Sequence, residues 1–304
     1  SNGSARTPQP GKATSAPGPA APGALPQPKR RDRSAVPQMW DLTKVMPTSG
    51  GNVAAGCAGD GPPLVLAHGW PWSSYTWSRV LPRLAQHYRC HFYDMPGFGQ
   101  SELNGPRPAA LDTQGEVFAE MLDHWGLESP AVVAHDFGGA VSLRAHLLHG
   151  RAYDRLVLMN VVALCPWGSG FFDHVGRHID AFLGVPRHIH EGIVRAYISG
   201  AMVHDLDAED TDALAEPWLT EEGQHAFYAQ FALADDRFTD EIAPALGSLG
   251  VRTAVLWGTE DPWIPLDRGR NLAERIGVRL TLLDGLGHLP QLEALDSVAA
   301  ALLD

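Results

Sequence analysis

Short apolar runs alternate with stretches of helical periodicity through most of this chain. The runs lie at residues 63–67, 89–93, 131–134, 156–159, 253–257 and 278–283. Strands that are buried on both faces of a parallel sheet read as continuous apolar runs, and parallel strands are usually joined by helical crossovers. The alternation therefore predicts an α/β fold, in which helices flank a mostly parallel central sheet.

The alternation stops between Cys165 and Ile242, where helical patterns occur without a convincing strand. This interruption predicts a helical cap, residues 165–242, inserted into a sheet domain that comprises residues 38–164 and 243–304. A chain of 304 residues is long enough for one such domain with a lid, and 44% hydrophobic residues are enough to form its core.

Residues 1–37 differ in composition from the rest of the chain. They are rich in Pro, Ala and Gly, and their charged residues are Arg6, Lys12, Lys29, Arg30, Arg31, Arg33 and Asp32. Their net charge is therefore +5, which leaves −17 for the remainder of a chain whose formal net charge is −12. Because few large apolar side chains offset the entropy of ordering, this segment is predicted to be a flexible leader.

Charge, hydropathy and cysteine content exclude several classes of function. A body with a net charge of −17 is repelled by phosphates, so nucleic acid is not an expected partner. No stretch approaches the roughly 18 uninterrupted apolar residues of a membrane helix. Cys57, Cys90 and Cys165 lack a metal-binding spacing. The sequence thus predicts a cytoplasmic protein that acts on a small molecule, with no metal and no membrane contact.

The first chemical motif follows the run at 131–134 and reads AHDFGG, residues 134–139. It matches the strand-turn-helix elbow that presents a nucleophile, where small residues are needed because the turn is tight. Asp136 occupies the nucleophile position, and a helix N-terminus stabilises a carboxylate there. An ordinary N-capping aspartate fits the same position, so this hexapeptide alone leaves both interpretations open.

Three other positions at the ends of apolar runs complete a catalytic arrangement. In the loop HGWP after the first run, the backbone N–H of Trp70 can form an oxyanion hole with that of Phe137, whereas His68 is interpreted as structural. Asp261 and His288 follow two late runs, and their order after Asp136 is nucleophile, acid, base. The predicted role of the late aspartate is to orient the imidazole of His288, which acts as a general base.

Five motifs together identify a resemblance: HGWPWSSYTW, YDMPGFGQS, AHDFGG, LWGTEDPWIP and GHLPQLE. From about Trp40 to Asp304 the chain resembles α/β-hydrolase-fold enzymes with a helical cap. Its elbow aspartate makes it similar to the aspartate-nucleophile branch, which contains epoxide hydrolases, haloalkane dehalogenases and haloacetate dehalogenases. Some relatives place the catalytic acid at the position of Asn160, but an amide cannot ionise, so Asp261 stays the predicted acid.

The resemblance implies a two-step reaction without a metal or organic cofactor. Asp136 attacks an sp³ carbon and forms an alkyl-enzyme ester, and water activated by His288 then hydrolyses this ester. The backbone N–H groups of Trp70 and Phe137 would stabilise the oxyanion that forms on the aspartate.

Departures from the family patterns distinguish the branches. Phe137 stands where haloalkane dehalogenases place a halide-binding Trp, and neither Phe137 nor Ala140 is the Arg of haloacetate dehalogenases. Epoxide hydrolases use two cap tyrosines as donors; Tyr228 fits the second position, although a core aromatic fits it equally well. Tyr197 and His178 are candidates for the first donor.

The predicted substrate-binding residues are Tyr228, Tyr197, His178, Trp70 and Phe137. The leading hypothesis is an epoxide hydrolase-like enzyme that opens a small apolar epoxide. A dehalogenase that uses the same triad on a haloalkane or haloacid is the alternative. A non-hydrolytic ligand-binding homologue is a third hypothesis, from a different functional class.

Overall fold

The computed structural model describes Gly3, Trp40 and residues 42–303, so all but one residue of the predicted leader lies outside the described part. Within that part, an eight-stranded sheet has the order β1-β2-β4-β3-β5-β6-β7-β8. The strands are β1 Lys44–Thr48, β2 Gly51–Ala58, β3 Pro63–Ala67, β4 Arg89–Tyr93, β5 Ala131–Asp136, β6 Arg155–Val161, β7 Arg252–Gly258 and β8 Leu280–Leu283. The β1/β2 and β2/β4 pairs are antiparallel and the others parallel, which confirms the predicted mostly parallel sheet.

Helices connect the strands and cover the sheet. They are α1 Leu81–Leu84, α2 Leu111–Trp125, α3 Phe137–His149, α4 Gly170–Arg177, α5 Ile179–Leu183, α6 Arg187–Ser199, α7 Ala208–Ala215, α8 Glu221–Ala232, α9 Arg237–Asp240, α10 Leu266–Ile276, α11 Pro290–Glu293 and α12 Leu295–Leu303. Short 3₁₀ turns lie at Ser74–Trp77, Glu216–Leu219 and Ala243–Ser248. None of the helices in the described range is long and apolar enough to cross a membrane.

The core lies along β3, β5 and β6, whose successive residues are almost all buried. Because neighbouring residues of a strand point to opposite faces, this pattern means that both faces of the sheet are covered. Helices α2 and α3 pack against each other, and α1 packs against α12. The reactive groups at the carboxyl ends of these strands therefore stand on a rigid support.

The antiparallel hairpin of β1 and β2 was not predicted from the sequence. The side chains of β1 are mostly exposed, and β2 contains glycine and alanine in place of large apolar residues, so neither strand forms an apolar run. Gly56 is needed in β2 because a Cβ there would lie 2.3 Å from the ring of Phe92. β2 therefore packs through small residues, which do not form the apolar run by which a buried strand is recognised in a sequence.

Between β6 and β7 the described chain is entirely helical or irregular, and α4 to α9 lie in this stretch. We refer to residues 165–248 as the inserted helical segment. Tyr75 and Arg79 attach it to the sheet domain, since the Tyr75 hydroxyl donates to Oδ1 of Asp210 across 2.8 Å and Arg79 pairs with the same carboxylate. These contacts hold α7 against the loop that follows β3.

Candidate active site

The elbow after β5 presents Asp136 in an unusual backbone conformation. Asp136 has φ 50° and ψ −123°, a region that non-glycine residues rarely occupy, and α3 begins at the next residue. The start of α3 lies so close to the end of β3 that a Cβ on Gly138 would lie 2.4 Å from the carbonyl oxygen of Ala67. A Cβ on Gly69 would lie 2.3 Å from Oδ1 of Asp136. Glycine at both positions is therefore a steric requirement of this turn.

One oxygen of the Asp136 carboxylate is bound by two backbone donors. The N–H of Trp70 donates to Oδ1 across 2.7 Å, and the N–H of Phe137 donates to the same atom across 2.6 Å. Asp136 is only 4% exposed, so these charge-assisted bonds offset much of the cost of burying its charge. The two N–H groups that the sequence predicts as an oxyanion hole thus converge on a single oxygen.

His288 contacts both aspartates of the predicted triad. Its Nε2 lies 3.2 Å from Oδ2 of Asp136, and its Nδ1 lies 2.8 Å from Oδ2 of Asp261. Burial lowers the pKa of His288, but the two carboxylates outweigh it and raise the pKa to about 10. The imidazole is therefore cationic near neutral pH in the free protein, with one N–H for each carboxylate.

Asp261 is held by donors from three directions. The backbone N–H groups of Trp263 and Ile264 each donate to Oδ1 across 2.8 Å, and Nδ2 of Asn160 donates to Oδ2 across 2.7 Å. Burial raises the pKa of Asp261, but the His288 charge and these donors together hold it below the ordinary value. Asp261 is thus an anion that orients one face of the imidazole.

Sequence reasoning did not assign a role to Asn160 beyond that of a rejected acid. Its backbone has φ 47°, at a shift in the register between β5 and β6, and its Oδ1 accepts the N–H of Gly258 across 3.1 Å. Asparagine tolerates this left-handed region better than most residues. The amide thus joins the end of β6 to the end of β7 and fixes the position of Asp261.

Two further contacts position the backbone of His288. Nε2 of His135 donates to the His288 carbonyl across 2.7 Å, and burial with the nearby His288 charge lowers the pKa of His135 to about 3. The N–H of His288 donates to the carbonyl of Ala201, in the inserted helical segment, across 3.0 Å. His135 is the unspecified residue of the elbow motif, so only its place beside Asp136 could have drawn attention to it.

Tyr197 of α6 lies beside the oxyanion loop. Nε1 of the Trp70 indole donates to the Tyr197 hydroxyl across 3.2 Å, and the Tyr197 ring lies 4.6 Å from that of Trp263. The pKa of Tyr197 is raised above its ordinary value. Burial and the charge of Asp136 raise it, and together they outweigh the Trp70 donor, which lowers it. The hydroxyl is therefore neutral near pH 7, and its own proton is not needed for the bond to Trp70.

The hydroxyl of Tyr228, the candidate for the second cap donor, contacts a histidine of the inserted helical segment. Tyr228 is fully buried, and its hydroxyl lies 3.0 Å from Nδ1 of His190. Nε2 of His190 lies 2.9 Å from the carbonyl of Trp218, so Nε2 carries the proton and Nδ1 accepts from the tyrosine. The Tyr228 hydroxyl therefore donates its proton to His190, and the Tyr228 side chain is packed inside the inserted helical segment.

His178 is also displaced from its expected role. It is exposed at the end of α4, and its ring centroid lies 4.7 Å from that of His174 on the same surface. Phe137 lies next to the predicted nucleophile, because it follows Asp136 directly in the chain. Its ring packs edge-to-face against that of Trp167, with the ring centroids 5.5 Å apart. Of the predicted substrate-binding residues, Trp70 and Phe137 therefore contact the Asp136 carboxylate through their backbone N–H groups, and Tyr197 contacts Trp70.

Comparison with known proteins agrees with this geometry. Residues 62–295 match the family described as alpha/beta hydrolase fold. The chain belongs to the α/β hydrolase fold family. A solved α/β hydrolase fold protein from Burkholderia ambifaria has a TM-score of 0.85 and 41% sequence identity, and the match covers 88% of this chain and 98% of that one.

Several curated relatives of this α/β hydrolase have specific activities in their names, and two of them belong to the branch that the sequence resembles. The chain is 35% identical over 109 residues to a soluble epoxide hydrolase from a Corynebacterium species, a match that covers 34% of this chain and 36% of that protein. It is 26% identical over 272 residues to haloalkane dehalogenase 2 from Mycobacterium tuberculosis, with coverage of 81% and 88%. The protein is a hydrolase of the α/β fold, and these two relatives differ in their named substrates.

Proposed function

We propose that this α/β hydrolase opens small apolar epoxides through a covalent ester on Asp136. The observation that carries the proposal is the Tyr197 hydroxyl, whose oxygen accepts the Trp70 indole N–H and whose proton is donated to no group among the described residues. The charge of Asp136 acts on this hydroxyl. An epoxide needs such a donor, because its ring oxygen becomes an alkoxide when the carbon–oxygen bond breaks. A halide leaves as a stable anion and needs no proton.

In the first step Oδ2 of Asp136 attacks an epoxide carbon, since Oδ1 is already bound by two N–H groups. The new carbon–oxygen bond forms the ester, and the electron pair of the broken ring bond goes to the epoxide oxygen. Tyr197 gives its proton to that oxygen. The Trp70 N–H then stabilises the negative charge that develops on the phenol oxygen.

Ester formation changes the protonation of His288. The carboxylate of Asp136 is one of the charges that raise the pKa of His288 to about 10, and esterification removes this charge. The pKa of His288 therefore falls when the intermediate forms, and the imidazole releases a proton that returns through solvent to the Tyr197 phenolate. Tyr197 is then neutral again, and the neutral His288 can act as a base. Asp261 remains charged and keeps the ring in place.

In the second step His288 takes a proton from water, and the hydroxide attacks the carbonyl carbon of the Asp136 ester. The oxyanion that forms is stabilised by the N–H groups of Trp70 and Phe137, which already bind Oδ1 in the free protein. Collapse breaks the ester bond, and the proton of the carboxyl group that forms goes to the departing alkoxide. The diol then leaves, and the Asp136 carboxylate lies beside the His288 imidazolium as in the free protein. No proton is gained or lost over the cycle.

A single-turnover experiment in oxygen-18 water tests this mechanism. With enzyme in excess over styrene oxide, the label is expected in the peptide that contains Asp136 and not in the diol. Label that enters only the diol would mean that water attacks the epoxide directly, and the covalent mechanism would then fail. Release of halide from 1-bromobutane or fluoroacetate, without diol formation from any epoxide, would assign the same triad to a dehalogenase.

A further inference from the structure

A cleft with a volume of about 300 Å³ lies beside the triad, at the carboxyl ends of β6 and β7. Its aromatic lining is formed mainly by Trp167 and Trp263. The ring of Trp263 lies 5.1 Å from that of His288, and the ring of Trp167 lies 5.5 Å from that of Phe137. Two lining residues of the cleft thus contact residues of the catalytic centre, and its volume suits a small molecule.

One charged side chain, Arg268, lines this cleft among the described residues. The guanidinium donates from Nη1 to the carbonyl of Cys165 across 3.2 Å, and no carboxylate of the described chain lies within 4.0 Å of it. A guanidinium has five N–H donors, so most of those on Arg268 have no acceptor among the described residues. Arg270, two residues later, differs because it is exposed and pairs with Asp267.

The position of Arg268 concentrates positive potential at the cleft. The guanidinium is partly buried in the first turn of α10, where the free N–H groups of the helix add a partial positive charge. No side chain caps this helix end. Outside residues 1–37 the chain has a net charge of −17, and Arg268 is a cation that forms no ion pair with the described residues.

We propose that the substrate carries a carboxylate, which Arg268 binds while the apolar part of the molecule lies between Trp167 and Trp263. A carboxylate matches the two-pronged geometry of a guanidinium, and one cation selects a single negative charge. The substrate class is then a small aromatic or aliphatic epoxide with an acid group. The epoxide as the reacting group rests on the proposed function, whereas the binding of the carboxylate by Arg268 does not.

A binding experiment with unreactive molecules tests the carboxylate site. Phenylacetate and its neutral isostere phenylacetamide are titrated into the full-length protein, and binding is followed by calorimetry and by the fluorescence of the cleft tryptophans. The wild-type protein is expected to bind the acid at least 10-fold more tightly than the amide. Arg268→Gln is expected to abolish this preference without changing the affinity for the amide, and Arg270→Gln is the matched control.

The outcomes separate this inference from the proposed function. Equal affinity for acid and amide, or an acid preference that survives Arg268→Gln, would overturn the carboxylate site whether or not the enzyme opens epoxides. In a parallel assay, phenylglycidate is expected to have a kcat/KM at least 10-fold above that of styrene oxide. If the acid binds through Arg268 but neither epoxide is opened, the proposed reaction fails and the carboxylate site stands.

Discussion

The indole N–H of Trp70 donates to the hydroxyl of Tyr197 across 3.2 Å. The backbone N–H of the same Trp70 donates to the carboxylate of Asp136, so a single residue contacts both the proposed nucleophile and the proposed acid. Tyr197 belongs to α6 of the inserted helical segment, whereas Trp70 follows β3 of the sheet. The bond therefore makes the two parts of the site depend on each other.

Removal of the Tyr197 hydroxyl is expected to slow the opening of an epoxide strongly. In Tyr197→Phe the ring oxygen has no proton donor, and the loss of a general acid lowers kcat by about 100-fold. KM for styrene oxide should change little, because the ring of Tyr197 and its contact with Trp263 remain. Steady-state kinetics of diol formation measure both values.

Tyr228→Phe is the matched control for this variant. It removes a hydroxyl from a neighbouring helix, but that hydroxyl lies 3.0 Å from His190 and does not contact the triad. We expect a kcat within about 2-fold of wild type and a lower free energy of unfolding, by about 1 kcal/mol for one buried hydrogen bond. An equal loss of kcat in both variants would contradict the assignment of Tyr197 as the donor.

The ester on Asp136 is expected to accumulate when the general base is removed. His288→Gln leaves Oδ2 of Asp136 free to attack but removes the group that activates water, so the first step proceeds and the second stalls. Intact-mass spectrometry after incubation with styrene oxide should detect protein heavier by one substrate molecule. Asp136→Asn is the control, and an adduct of the same mass in that variant would place the attachment elsewhere.

The mostly parallel sheet is the part of the fold that the sequence predicted and the structure confirms. Strands β3, β5 and β6 are buried on both faces, so each appears in the sequence as a continuous apolar run. Asp136, Asp261 and His288 were found because reactive residues at the carboxyl ends of parallel strands must lie at one edge of the sheet. Their contact at 2.8 and 3.2 Å agrees with that expectation, while their catalytic roles remain predictions.

The sequence made Tyr228 and Tyr197 candidates for two donor positions, but it could not show the partner of either hydroxyl, because these partners lie far away along the chain. The orientation of Tyr228 is set by His190, which in turn is set by the carbonyl of Trp218. Tyr197 meets Trp70 across 127 positions of the chain. Helical periodicity identifies both tyrosines as facing the protein, but it carries no information on which hydroxyl has a spare proton.

Asn160 is expected to act as a positioning residue for Asp261. Asn160→Ala removes a hydrogen bond to a buried carboxylate, and such bonds contribute about 1.5–3 kcal/mol, so kcat should fall about 10-fold while KM stays constant. The pKa of Asp261 should rise, which moves the acid limb of the pH–rate profile to higher pH. Both changes follow from the donor that Asp261 loses.

Asn160→Gly separates the hydrogen bond from the backbone conformation. Glycine adopts the φ of 47° without strain, whereas alanine does not, so the glycine variant should be more stable than the alanine variant and equally slow. Urea denaturation and the pH–rate profile are measured on both. A glycine variant with wild-type kcat and pH profile would show that Asn160 matters only for the turn.

The charge on Asp136 is expected to make stability depend on pH through His288. The pKa of His288 is about 10 in the folded protein, above its ordinary value of 6.5. The resulting stabilisation is fully present below pH 6.5 and is lost as the pH rises toward 10, because the unfolded chain releases this proton first. Asp136→Asn removes one of the charges that raise the pKa, so the loss over this window should be smaller in the variant. The difference is about 1.4 kcal/mol for each unit by which the pKa falls.

Urea denaturation of both proteins at pH 6.5 and pH 10 measures this effect, because the other titrating groups contribute nearly equally to both and cancel in the comparison. Nuclear magnetic resonance of labelled histidine gives the pKa of His288 directly, and a lower value is expected in Asp136→Asn. Asp261 remains 2.8 Å from Nδ1 in that variant, so the pKa should stay above that of a free histidine. An unchanged pKa would mean that esterification of Asp136 does not prepare His288 to act as a base, and the second step would then require another source of activation.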